Sequence, residues 1–251
     1  MRREEYYRIE RVEQIHFWYR AMEEMAIILV EKYSKSRNLK ILDAGCGTGG
    51  MTKKLERFGD VTGVDINPVA IKYSQKKNIK NLKKASVMDL PFHNNLFDLV
   101  VSLDVLYHKM VNDDRKALSE FYRVLKPNGL VLIRVPAFEF LRGAHDIIVE
   151  TRHRYTATEL KEKMEYAGFN IEKITYANML LALPLFIKRL LERQPLFGMM
   201  SKRGHSDTYL LTKVLNSILY WNLRVENSLL AYFNFPFGSS VICVGKKGKD
   251  N

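Results

Sequence analysis

Apolar residues recur at helical spacing through residues 4–33, where Ile9, Val12, Ile15, Tyr19, Met22, Ala26 and Leu29 share one stripe before the polar break at 34–38. A single amphipathic helix is expected there. Beyond the break the pattern changes kind: short apolar runs at 40–43, 61–65, 82–87, 97–103 and 130–135 are separated by stretches of helical periodicity. Strands interleaved with helices predict βαβ units and a mainly parallel sheet. A further helix is expected from Thr156, where Thr156 and Glu159 have capping-box spacing, to a stop at Ala167-Gly168. Strand patterns follow at 169–176 and 240–245, and the residues between them are again helical, with Leu211, Leu215, Ile218, Val225, Leu229 and Tyr232 on one stripe. The chain thus divides into an N-terminal helical lid (1–38), an α/β core (39–176), a helical insertion (177–238) and a final strand with a short tail (239–251).

The segment richest in chemistry is Ile41-Leu42-Asp43-Ala44-Gly45-Cys46-Gly47-Thr48-Gly49-Gly50, a strand running into a glycine turn and then a helix from about Met51. Glycines there permit backbone angles closed to other residues and let a ligand lie against the main chain. Gly45, Gly47 and Gly50 fit the spacing of dinucleotide binders, and Asp65, about twenty residues on, stands where an acid meets ribose hydroxyls. On that spacing alone a nicotinamide cofactor fits as well. Asp43 shifts the balance, because a carboxylate at the mouth of the loop repels a pyrophosphate and suits a cation. S-adenosylmethionine (SAM) carries an ammonium and a sulfonium and no phosphate.

Asp43-Ala44-Gly45-Cys46-Gly47-Thr48-Gly49 resembles the first motif of class I SAM-dependent methyltransferases. The likeness continues through Gly63-Val64-Asp65-Ile66, through Ala85-Ser86-Val87-Met88-Asp89-Leu90-Pro91-Phe92, through the run at 97–102 and through Val124-Leu125-Lys126-Pro127-Asn128-Gly129-Leu130. It covers about residues 15–176. The resemblance implies an α/β Rossmann-like fold, a seven-stranded, mainly parallel sheet flanked by helices with one reversed strand, and SAM bound at its carboxyl edge, leaving as S-adenosylhomocysteine (SAH). It places the cofactor against Asp43, Gly45, Cys46, Gly47, Asp65, Ile66, Met88, Asp89, Leu103 and Tyr19. Asn128 replaces a usual glycine, a tolerable change because Asn enters the left-handed region more readily than most residues. The aromatic run His16-Phe17-Trp18-Tyr19-Arg20 is similar to the opening of a type 11-like subgroup associated with sugar, polysaccharide or lipid-linked substrates.

Loops at the carboxyl ends of the fourth and fifth strands supply acceptor-side candidates. His108 and His145 are expected as general bases, since imidazole titrates near neutral pH. Asp146, Arg152, His153, Arg154 and Tyr155 are expected to hold the acceptor, the guanidiniums serving as an anion clamp. No metal is expected. The formal charge of +12 attracts anions, whether nucleic acid, acidic headgroups or a phosphorylated substrate, without choosing among them. The expected reaction is methyl transfer to a small or lipid-linked acceptor, foremost O-methylation of a sugar or anionic metabolite. An RNA methyltransferase and a non-catalytic SAM-binding regulator are the alternatives. The residues at 179–187 with Lys188, Arg189 and Arg193 suit a membrane surface, a greasy acceptor or a homodimer contact, and the insertion is expected over the acceptor side of the cleft. Cys46 and Cys243, without metal-ligand spacing, read as two reduced thiols. With a charged amino terminus and no apolar run of spanning length, cytoplasmic location is expected, with membrane attachment left open.

Overall fold

The structure, a computed structural model, describes residues 3–34, 36–192 and 212–249. Seven strands form one sheet: β1 (Leu39–Ala44), β2 (Gly59–Asp65), β3 (Asn81–Lys84), β4 (Phe97–Leu103), β5 (Leu125–Pro136), β6 (Phe169–Ala177) and β7 (Ser240–Lys247). Their order is β3-β2-β1-β4-β5-β7-β6, and β7 alone runs antiparallel to its neighbours. The helices are α1 (Arg3–Val12), α2 (Phe17–Tyr33), α3 (Gly50–Leu55), α4 (Pro68–Lys76), α5 (Asp114–Val124), α6 (Ala144–Ile148), α7 (Ala157–Tyr166), α8 (Met179–Glu192) and α9 (Lys213–Leu230).

Both sheet faces are covered, which is why the central strands read as continuous apolar runs. Along β1, Leu42 and Ala44 face the cluster with Val100, Phe121, Val131 and Ile133, while Ile41 faces the one with Met25, Leu29, Val101 and Leu132. The alternation is the two-residue period of a strand. Thr156 caps α7 by accepting the Glu159 amide at 3.2 Å, and Asn128 sits in the turn at φ 62°. Burial raises both thiols, Cys243 to about 12.

Residues 4–33 form two helices rather than one, because His16 adopts an extended conformation and its Nδ1 accepts the Trp18 amide at 3.3 Å, starting a new helix. The break folds α1 back toward α4, and α2 packs under the sheet with Ala21, Met22, Met25, Ala26 and Leu29 buried.

The insertion leaves the sheet at the carboxyl end of β6, as topology requires, but its described residues take another route than the one expected. The start of α9 is pinned to α2 through Asn216, which accepts the Phe17 amide at 2.9 Å and donates to the Ile15 carbonyl at 2.9 Å. Farther along, Tyr220 donates to Glu24 at 2.9 Å and Asn227 to the Ala21 carbonyl at 2.8 Å. α8 packs on the 3₁₀ turn Glu139–Leu141. No described residue of the insertion lines the cavity at the carboxyl edge. Arg193 and Leu211 of the sequence reading lie outside the described residues.

Candidate cofactor and acceptor site

A cavity of about 570 Å³ opens at the carboxyl edge of β1, β2, β4 and β5, in the size range of small-ligand sites. The glycine loop forms one wall. Gly45, at φ 92°, must lack a side chain because a Cβ there would stand 2.2 Å from Val105 Cγ2. Gly47, at φ 54°, is different: a Cβ would meet nothing within 4 Å, so the bare backbone at this lining position leaves room for a ligand.

Asp65 ends β2 and fixes the loop, its Oδ2 accepting the Gly47 amide at 3.0 Å and its Oδ1 the Asn67 amide at 2.8 Å. Burial still raises its pKa. Asp43, 3% exposed, accepts the Thr52 hydroxyl at 2.6 Å. Its pKa is pushed up to about 7, chiefly by desolvation and further by Asp65 and Glu23, against the lowering effect of Thr52. A buried carboxyl held at that cost marks a site suited to a positive charge.

Helices α1 and α2 close the cavity with Tyr6, Ile9, Trp18, Tyr19 and Met22. A latch holds them down. Glu13 accepts the Thr48 hydroxyl at 2.5 Å and pairs with Lys77 at 2.7 Å, and Lys77 also donates to the Thr48 carbonyl at 2.7 Å. On the opposite wall, Asp104 leaves β4 in the left-handed conformation, φ 57°, and pairs with Arg134 of β5, whose Nη1 is buried with no hydrogen-bond partner. Seven acids line the cavity (Glu5, Glu13, Glu23, Asp43, Asp65, Asp104 and Glu150) against one arginine, in a chain of net charge +12. A cationic ligand fits that lining, and a pyrophosphate does not.

Of the expected cofactor residues, Tyr19, Asp43, Gly45, Cys46, Gly47, Asp65, Ile66 and Leu103 line this one cavity. Met88 and Asp89 do not. The Asp89 amide donates to the Ser86 carbonyl at 3.1 Å, and this turn carries Asp89 to the surface and leaves Ser86 and Val87 facing inward.

His108 and His145 both line the cavity, with different chemistry. His108 Nδ1 accepts the Met110 amide at 3.0 Å, which places the ring proton on Nε2, 3.5 Å from Glu150. Burial lowers its pKa to about 4. The Nδ1 lone pair is thus occupied by the Met110 amide, an arrangement that does not favour the expected base role of His108. His145, on α6, has a buried Nδ1 with no hydrogen-bond partner.

Asp146, Arg152, His153, Arg154 and Tyr155 are not brought to the cavity. Each is engaged elsewhere: Arg154 grips Asp146 at 2.8 and 3.1 Å, His153 faces Glu159 at 2.8 Å, and Tyr155 and Arg152 converge on Asp114 at 2.7 and 3.1 Å. Lys163 joins them at 2.7 Å. These donors overcome desolvation and hold the Asp114 carboxyl down at about 2. The residues expected to clamp an anion thus pair with α5, α6 and α7 away from the cavity, and the Arg154–Asp146 pair ties their loop to α6, which carries His145.

The geometry agrees with comparison to known proteins. A methyltransferase domain model matches residues 42–133. A ubiquinone/menaquinone biosynthesis C-methyltransferase of Wigglesworthia glossinidia brevipalpis is 36% identical over 135 residues, covering 48% of this chain and 53% of that protein. An uncharacterized protein of Methanocaldococcus jannaschii is 31% identical over 161 residues, 64% of this chain and 67% of its own length. The match thus spans about half the length of the quinone enzyme. Among solved structures, a Haemonchus contortus phosphoethanolamine N-methyltransferase in complex with SAM shares the fold at TM-score 0.59 and 20% identity, over 90% of this chain and 52% of that one. With the glycine loop, the paired acids and the strand order in agreement, the chain carries a SAM-dependent methyltransferase domain.

Proposed function

We propose that the chain transfers a methyl group from SAM to a hydroxyl of a small, uncharged acceptor, with His145 as the base. The acidic cavity carries this reading. Its seven carboxylates against one arginine favour the cationic cofactor and disfavour the anionic acceptor expected from net charge. A phosphate-rich RNA strand meets the same repulsion.

Bound SAM supplies a methyl group on cationic sulfur and leaves as SAH. Asp43 and Asp65 hold the ammonium and ribose ends, and the bare backbone at Gly47 admits close approach. Trp18 and Tyr19 on α2 present aromatic faces, which attract a cation. His145, whose side chain lines the cavity, receives the acceptor proton as the carbon–oxygen bond forms and the carbon–sulfur bond breaks. His108 orients the loop beside it. Sugar and lipid-linked alcohols are both uncharged at the hydroxyl end and suit this site, which sits at the edge of the sheet as expected for the fold. A carbon acceptor is the second reading, favoured by the relative named as a C-methyltransferase of quinone biosynthesis.

The test has two stages. Calorimetry should show SAM and SAH binding and no tight NADH binding. Transfer of labelled methyl to a panel of alcohols should then fall by about 10²–10⁴-fold in H145A with SAM affinity unchanged. Unchanged turnover in H145A removes the base assignment, and label found only on carbon selects the second reading.

A further inference from the structure

α9 has two opposed sides. Leu223, Asn227 and Leu230 are buried, and Asn216 and Asn227 on the same side bond the backbone of residues 15–21. On the far side, at spacings of three and four residues, Val214 (71% exposed), Ile218 (51%), Trp221 (56%), Val225 (58%) and Leu229 (47%) form a continuous apolar stripe. Tyr232 and Phe233 extend it past the helix end, 76% and 63% exposed. α8 repeats the arrangement, burying Ala182 and Arg189 and exposing Leu180, Leu183, Ile187 and Leu190.

Charge decides what meets the stripe. The exposed charged side chains described on the two helices are all cationic, Lys188, Lys213 and Arg224, the last of them paired with Glu24 of α2 at 3.0 Å and stacked over Trp221. Glu226, the one acidic side chain described there, is 3% exposed and turned inward, where it accepts the Met179 and Leu180 amides at 2.8 and 3.2 Å. An isologous contact between two copies would bring two cationic faces together, since neither helix exposes an acid among its described side chains. A surface of anionic headgroups answers them, while Trp, Tyr and Phe settle at the headgroup boundary. No helix among the described residues is long and apolar enough to cross a membrane. We infer that α9, with α8 beside it in sequence, is a docking face for an anionic lipid surface, on which the helix lies in the plane of the headgroups.

Vesicle flotation tests this without any assay of methyl transfer. The full chain should float with phosphatidylcholine vesicles containing phosphatidylglycerol, should float far less with phosphatidylcholine alone, and should release in high salt. I218E and W221E should each reduce partitioning about tenfold or more, the loss expected on removing one large apolar group from the interface. SAH binding by these variants should match the parent, which shows that they are folded. Equal flotation on neutral and anionic vesicles overturns the anionic assignment. Absence of flotation on any vesicle overturns the proposal, as does a concentration-dependent dimer that W221E dissolves without any lipid binding.

Discussion

Asp43→Asn separates two roles of one carboxylate. In the folded chain Asp43 titrates near 7 instead of 3.8, a displacement of about three pH units, which corresponds to about 4 kcal/mol. For an acid with a raised folded-state pKa, the folded chain keeps a proton that the unfolded chain has lost between those two values. Stability therefore falls as pH rises through that window, and the full penalty stands above pH 7. The substituted amide carries no charge and escapes it. D43N should be the more stable protein in urea titrations above pH 7, and the advantage should vanish below the ordinary carboxyl range. SAM binding should move the opposite way. A cationic ligand needs the charged carboxylate, so parental affinity should fall by up to about tenfold per pH unit below 7 with release of a proton, and D43N should bind weakly and with little pH dependence. Calorimetry in buffers of different ionisation enthalpy counts the proton directly. A parental SAM affinity flat across pH 7, with no proton released, would refute both the raised pKa and the cation-binding role.

Lys77→Met leaves buried Glu13 without its cation and should destabilise the fold by about 3 kcal/mol, with faster SAM release in stopped-flow as the α1–α2 lid loosens; an unchanged release rate argues against the latch. Gly143→Ala places a Cβ 2.1 Å from the Arg189 guanidinium at the start of α6, so kcat should drop while SAM affinity holds, at a stability cost of about 1–3 kcal/mol. Retained kcat would mean that the position of α6 does not matter. Chelation should leave turnover intact, since transfer from a sulfonium depends on alignment of the reacting atoms; loss in EDTA that magnesium or zinc restores would show otherwise.

The cofactor half of the site was legible because its determinants are local. Strand, glycine turn and acid lie within one short segment, and the second acid ends the next strand. The acceptor-side candidates were legible in residue type but not in partner. Arg152, Arg154, His153 and Tyr155 look like an anion clamp until their partners Asp114, Asp146, Glu139 and Glu159 are known, and those four lie on four elements outside the loop. Arg134 leaves a readable sign, a cation within the apolar run of β5. The lid acids Glu5, Glu13 and Glu23 leave none, because only the break at His16 folds α1 onto the cavity. Periodicity also carried the helix through that break, since Ile15 continues the stripe although it is 52% exposed. The insertion's helices were visible as amphipathic patterns. Their direction was set by Asn216, Tyr220 and Asn227 pairing with α2, a tertiary choice with no local signature.

The strand order also dictates when this fold can close. β6 touches the sheet only through β7, and β7, wedged between β5 and β6, comes last in the chain. α8 meanwhile has its first amides satisfied by Glu226, 46 and 47 residues downstream. On a ribosome the first five strands can assemble as they emerge, whereas β6 must wait for β7, and α8 for Glu226, to arrive. A nascent chain stalled before residue 240 would hold a formed glycine loop beside an unfinished sheet edge, open to chaperones and to other chains.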